Sequence, residues 1–153
     1  MRNLRTWPPA TEAVGLYLNE VLEQPVRWAV PTERPPQFVV IRRSGGGSTQ
    51  VLDAALIDLE VWGGQPTGNP RDTERFATLV GEMMRRMPAA NNPATRVDIE
   101  SVAFIPDAVS DSPRYVISAR VWLRPVAPRL PKTPGDNGGA NTEKEGITDA
   151  ISR

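Results

Sequence analysis

Ala55–Gly63, Ala-Leu-Ile-Asp-Leu-Glu-Val-Trp-Gly, is the stretch that decides the fold of this chain. Ala55, Ile57, Leu59 and Val61 alternate with Leu56, Asp58, Glu60 and Trp62, the period of a strand with one face in a core. Gly63–Gly68 then turns the chain, and the pattern changes to that of a helix. Asn69 stands as N-cap, Pro70 at the first helical position where its missing N–H costs nothing, and Asp72 where a capping-box acid would sit. Phe76, Leu79, Val80, Met83, Met84 and Met87 recur at three- and four-residue spacing and predict the buried stripe, with the methionines as core filler. Arg85 and Arg86 suit the last turn of a helix dipole, and Pro88 ends it.

Upstream, Phe38–Arg43 reads as another strand, with Val39 and Ile41 on one face and Phe38 and Val40 on the other. Ser44–Ser48, with Gly45, Gly46 and Gly47, reads as a mobile hairpin loop, or as one that orders only against a partner. Pro31, Pro35 and Pro36 enforce an extended loop before the strand, and Val26–Val30 reads as a short strand or extended entry. The first helix spans Ala10–Glu23, with Pro9 in its first turn; Val14, Tyr17, Leu18, Val21 and Leu22 share a face, and Pro25 stops it. Downstream, Arg96–Ile105 and Arg114–Arg124 are strands joined by the turn-rich loop Pro106–Pro113. The order α-β-β-β-α-β-β predicts an α+β fold: a mostly antiparallel sheet of 4–5 strands with both helices on one face.

Asp58 and Glu60, and Asp98 and Glu100, fall on the opposite face by their i, i+2 spacing, together with Val116 and Trp122. An antiparallel sheet can leave such a face in water or offer it to a neighbour. The domain spans residues 8–124, after an N-terminal extension 1–7. Residues 125–153 carry Pro125, Pro128, Pro131 and Pro134 with little apolar content, and read as a disordered tail.

Composition narrows the chemistry. There is no cysteine and no histidine, so disulfides, thiolate nucleophiles, Cys/His zinc sites and the usual general base are excluded. No metal or cofactor site is expected, and a binding or structural role leads over an enzymatic one. Eighteen Lys and Arg balance eighteen Asp and Glu, against the basic excess of proteins that grip DNA by its phosphates. Apolar runs stay far below the roughly 20 residues of a membrane span, and Met1–Trp7 lacks the apolar core of a secretory signal. The triple glycine lacks the Lys-Ser/Thr ending of a phosphate loop and does not open a helix. The four sheet carboxylates match metal or acid–base chemistry no better than any half-solvated strand. Facing a pore, they would repel DNA phosphates. Trp28, Trp62 and Trp122 read as core or interface anchors.

The combination of Ala10–Glu23, the Trp-containing segment and proline loop Val26–Pro36, "QFVVIRRSGGG" (37–47), "ALIDLEVWG" (55–63), the helix 70–87 and "RYVISARVWLRP" (114–125) resembles the tail terminator proteins of long-tailed, siphovirus-type bacteriophages. The resemblance spans residues 8–125. It implies a virion structural protein, made in the host cytoplasm and placed at the head–tail interface. Such proteins form a ring, most often of six subunits, that caps the tail tube, stops its polymerisation and joins it to the head-side connector. DNA would pass through the lumen without sequence-specific binding. The candidate interface residues are Arg42, Arg43, Gly45, Gly46, Gly47, Asp58, Glu60, Asp98, Glu100 and Trp122. Head-closure and tail-completion proteins are the alternative within the virion neck; a small adaptor unrelated to phages stands further off.

Overall fold

The computed structural model describes residues 5–64 and 68–127. Its elements follow the order α1 (Ala10–Val21), β1 (Val26–Arg27), β2 (Phe38–Gly45), β3 (Asp53–Trp62), α2 (Pro70–Arg86), a 3-10 turn (Met87–Ala89), β4 (Ala94–Phe104) and β5 (Arg114–Leu123). The five strands make one mixed sheet in the spatial order β1-β2-β3-β5-β4. Only β1 runs parallel to its neighbour, β2; the other pairings are antiparallel. The alternation in β3 does what its spacing demands. Ile57 and Leu59 point into a single core shared with Val39 and Ile41 of β2, Ile117 and Val121 of β5, Val14 and Leu18 of α1, and Phe76, Val80 and Met84 of α2. Both helices therefore cover the same face.

Several boundaries differ from the sequence expectation, each for a local reason. Pro9 is the N-cap of α1, its carbonyl accepting from Ala13 N at 3.0 Å, and lies one residue before the first turn. The helix stops at Val21, because Leu22 is already extended with ψ 143°, and Val21 is exposed where a core position was expected. The Val26–Val30 segment keeps only a two-residue ladder. Beyond it Trp28 folds onto α1, where a Cβ on Gly15 would stand 2.7 Å from Trp28 Cζ2, so a side chain at this helix position would have to displace the half-exposed indole.

In α2, Thr73 and Ala77 join the buried stripe, while Leu79 is exposed and Met83 only half-buried. The helix lies over β3, β5 and β4, and that line of approach, not hydrophobicity, chooses the buried stripe. Asn69 caps as expected, its Oδ1 accepting from Arg71 N at 2.9 Å. Asp72 pairs with Arg75 at 3.3 Å instead of reaching back to close a capping box.

The face away from the helices is not open throughout. Phe38, Val40 and Trp62 form a second buried cluster with Val30 packed against it. Phe38 and Trp62 stack with centroids 5.5 Å apart, and the Arg34 guanidinium of the proline loop lies 5.1 Å over the Trp62 ring. Two residues outside the 8–124 span also join the domain: Thr6 and Val126 exchange backbone hydrogen bonds of 2.9 and 2.7 Å. The remainder of the expected tail, 128–153, lies outside the described residues, as do 65–67 of the glycine turn and 1–4 of the N-terminal extension.

Candidate functional site

The open part of the outer face carries most of the residues singled out from the sequence. They stand in pairs of opposite charge, two formed across strands and one along β4. Arg42 Nε donates to Glu60 Oε1 at 3.1 Å, Arg120 Nε to Glu100 Oε1 at 2.7 Å, and Arg96 Nη2 lies 2.7 Å from Asp98 Oδ2. Asp58 accepts from the Ser118 hydroxyl at 2.8 Å, and Glu60 also accepts from Trp62 Nε1 at 3.2 Å. Trp122 lies under Arg96, whose guanidinium carbon is 4.9 Å from the ring centroid. The expected acidic wall is thus a lattice of alternating charge. Arg42 and Arg120 come from neighbouring strands, which a reading along one strand could not see, whereas Arg96 stands two residues from Asp98 on β4 itself. Among the described residues, no group of three or more carboxylates stands close enough to hold a metal ion.

Arg43 and the glycines make a different structure. Arg43 forks onto Asp53, with Nη1–Oδ2 and Nη2–Oδ1 both 2.9 Å, and also donates to the Gly45 and Gly46 carbonyls at 3.0 and 3.2 Å. Asp53 is buried. Its hydrogen bond holds the Arg43 guanidinium above its ordinary pKa. Gly46 has φ 87°, and a Cβ there would stand 2.1 Å from the Ala54 carbonyl oxygen. Ala54 N in turn donates to Gly47 O at 3.0 Å. The expected mobile loop is therefore a hydrogen-bonded turn, because glycine lets its backbone approach β3 and the arginine has carbonyls to bind.

Two features carried no prior expectation. The first links the proline loop to the β4–β5 connection: Arg34 Nη1 donates to Ser110 Oγ at 2.7 Å and Nη2 lies 4.0 Å from Asp107. The Ser110 hydroxyl and backbone N–H hold the Asp107 carboxyl below its usual range. The Arg114 guanidinium approaches Trp62 at 5.0 Å.

The second feature is the far half of β4. This strand is outermost, and no strand of the described residues pairs with its outer edge. Its register with β5 shifts between Ala94 and Arg96 and again between Ile99 and Ser101, leaving Glu100 as a bulged residue. The bulge moves the apolar positions from Val97 and Ile99 to Val102 and Phe104, keeping them on the helix side of the sheet. Phe104 packs its ring on Tyr115 of β5, with centroids 5.1 Å apart, and the rest of this stretch stays about half exposed. Val102, Phe104 and Ile105 are 54%, 47% and 46% exposed, and Val109 in the following loop is 95% exposed. A signal for this was present in the sequence. The apolar residues change from odd to even positions at Glu100-Ser101, and a bulge is the ordinary cause of such a slip.

The chain matches no protein-family model and no curated protein.

Proposed function

We propose that this chain is a ring subunit of the tail-terminator type, which caps the tail tube of a long-tailed bacteriophage and joins it to the head-side connector. The observation supporting this reading is the far half of β4, an uncovered strand edge beside exposed Val102, Phe104 and Ile105. Unpaired backbone groups and neighbouring apolar side chains gain most when another chain covers them. At the other side of the sheet, β1 pairs only with Val39 and Val40, so Ile41–Gly45 also presents a free edge among the described residues. The two edges are unlike. One carries Arg42; the other carries Asp98 and Glu100 beside Arg96 and Arg120. Joining unlike edges is a head-to-tail contact, which closes a ring when the rotation per subunit divides a full turn.

The paired charges of the outer face bear on the lumen. A wall of alternating sign neither holds phosphates by neutralising them nor strongly repels them, which suits DNA in transit. The function is steric: one ring face meets the last tube ring, the other meets the connector, and no bond is made or broken.

Sizing of the purified chain by native mass spectrometry, alone and with tube protein or connector protein, tests the proposal. Closed species of about six copies that bind tube ends and stop their growth are expected. Binding to connector alone, with tubes growing unchecked, would assign the chain to head closure instead. A monomer that binds neither would overturn both readings.

A further inference from the structure

Of the four tryptophans, Trp28 alone is exposed: 51% of its surface meets solvent, just past β1 at one edge of the sheet. Its indole lies against Gly15 of α1, which puts it on the helix side. The opposite edge carries Val102, Phe104 and Ile105, each about half exposed. Phe104 packs on Tyr115, and Tyr115 packs against the core that both helices cover, so this group is on the helix side as well. Both surfaces gain by leaving water, and tryptophan leads the residues that carry binding energy in protein contacts.

Cross-strand register sets the two surfaces at one height. Val26 of β1 lies in a row with Val39, Val61, Tyr115 and Phe104, and Arg27 in the next row with Val40, Glu60, Val116 and Ala103. Trp28 follows Arg27 toward the row of Ile41, Leu59, Ile117 and Val102. Neighbours in a closed ring are related by rotation alone, with no rise along the axis. Where the strands follow that axis, equal rows meet, and β4 of one copy faces β1 and the free stretch Ile41–Gly45 of the next. Three antiparallel steps lead from β2 to β4, and β1 is parallel to β2, so the joint is antiparallel, the more stable kind of ladder. Charge agrees on the outer face. Arg42 shares a row with Ser101, beside the bulged Glu100, and meets the opposite sign across the joint.

We propose that Trp28 of one copy seats on Val102, Phe104 and Ile105 of the next, with β4 laid antiparallel along the β1–β2 edge and Glu100 beside Arg42. The seat rests on the ring reading above and names the surface that covers β4 within it.

The chain has no cysteine, so an introduced pair reports the joint directly. Arg27 and Ala103 are exposed, share a row and alternate with the apolar positions beside them, which sends both to the outer face. Within one chain they stand at opposite edges, four strand spacings or about 19 Å apart, beyond the reach of a disulfide. Across the joint they are facing neighbours, with Cβ atoms about 5 Å apart. Mild oxidation of the double variant Arg27→Cys, Ala103→Cys should therefore give a ladder of linked species on a denaturing gel. The double variant Arg27→Cys, Thr95→Cys, with its second thiol at the far end of β4, should not link. Trp28→Ala should weaken association at least about tenfold while its circular dichroism is unchanged. The cysteine pair keeps Trp28 in place, and so decides the matter if Trp28→Ala weakens the fold. Closed species in native mass spectrometry without this linkage, or with equal linkage at Thr95, would overturn the seat and leave the ring reading standing. Linkage that stops at dimers would mean a two-fold contact and would overturn it too. A chain that stays monomeric alone and with tube protein would overturn both.

Discussion

The two ends of this sheet handle their edges in opposite ways. At the glycine end, Arg43 saturates its guanidinium on Asp53 and two carbonyls, and Gly46 brings the backbone close enough to make that possible. At the hairpin end, the outermost strand leaves Val102, Phe104 and Ile105 about half exposed. The first end is closed by its own turn, although the β2 edge beside it is free among the described residues. The second presents half-exposed apolar surface that no described residue covers. Residues with similar exposure can therefore hold the fold at one end and be free to bind at the other, and stability measurements separate the two.

The largest expected effect is at the glycine end. Arg43→Met leaves Asp53 buried without its partner. Because the arginine side is partly in water, about 3 kcal/mol of unfolding free energy should be lost, the low end for a broken buried pair, as read by urea denaturation. Gly46→Ala combines a left-handed backbone with a backbone collision and should cost about 2 kcal/mol in the same assay. Arg34→Ala removes a cation over Trp62 and the link to Ser110, and about 1 kcal/mol should go. Val102→Asp together with Phe104→Ser, which removes the ring on Tyr115, should cost no more than about 1 kcal/mol, yet abolish closed assemblies in native mass spectrometry. A stability loss as large as that of Arg43→Met would erase the contrast and make the far half of β4 part of the core. An unchanged assembly pattern would move the interface off this edge.

The pH response sharpens the comparison further. Asp107 is held below the ordinary carboxylate range by Ser110, so its contribution is present above its unfolded pKa and is lost as pH falls through the lower folded value. Acid should loosen the β4–β5 loop first, seen as lower amide protection factors at Ser110 and Ser112 (exchange rates normalised to the intrinsic rate at each pH), and Asp107→Asn should remove that pH dependence.

Much of the fold was legible residue by residue. The alternation of Ala55–Trp62, the Asn69-Pro70 helix start and the prolines bounding α1 state local preferences that the sheet and helices then satisfy. The candidate site was legible only in part. Spacing placed Asp58 and Glu60 on the outer face. It could not reveal that Arg42 pairs with Glu60 and Ser118 with Asp58, because those partners sit on other strands. The role of Arg43 was hidden for the same reason: its neighbour in sequence, Arg42, looks alike, and only the pleat sends one to the outer face and the other to Asp53. Trp62 was read on the correct face, but its burial depends on a loop more than twenty residues earlier folding over it.

By itself, then, the sequence determined which segments are helix or strand and which strand faces turn inward, since a period of two or of three to four residues, a cap and a proline act over a few residues. The tertiary structure alone decided which charges are neutralised, which glycines are indispensable and which apolar side chains are left over. Those outcomes depend on cross-strand register and on where the helices lie on the sheet, and both are settled by contacts between residues distant in the chain.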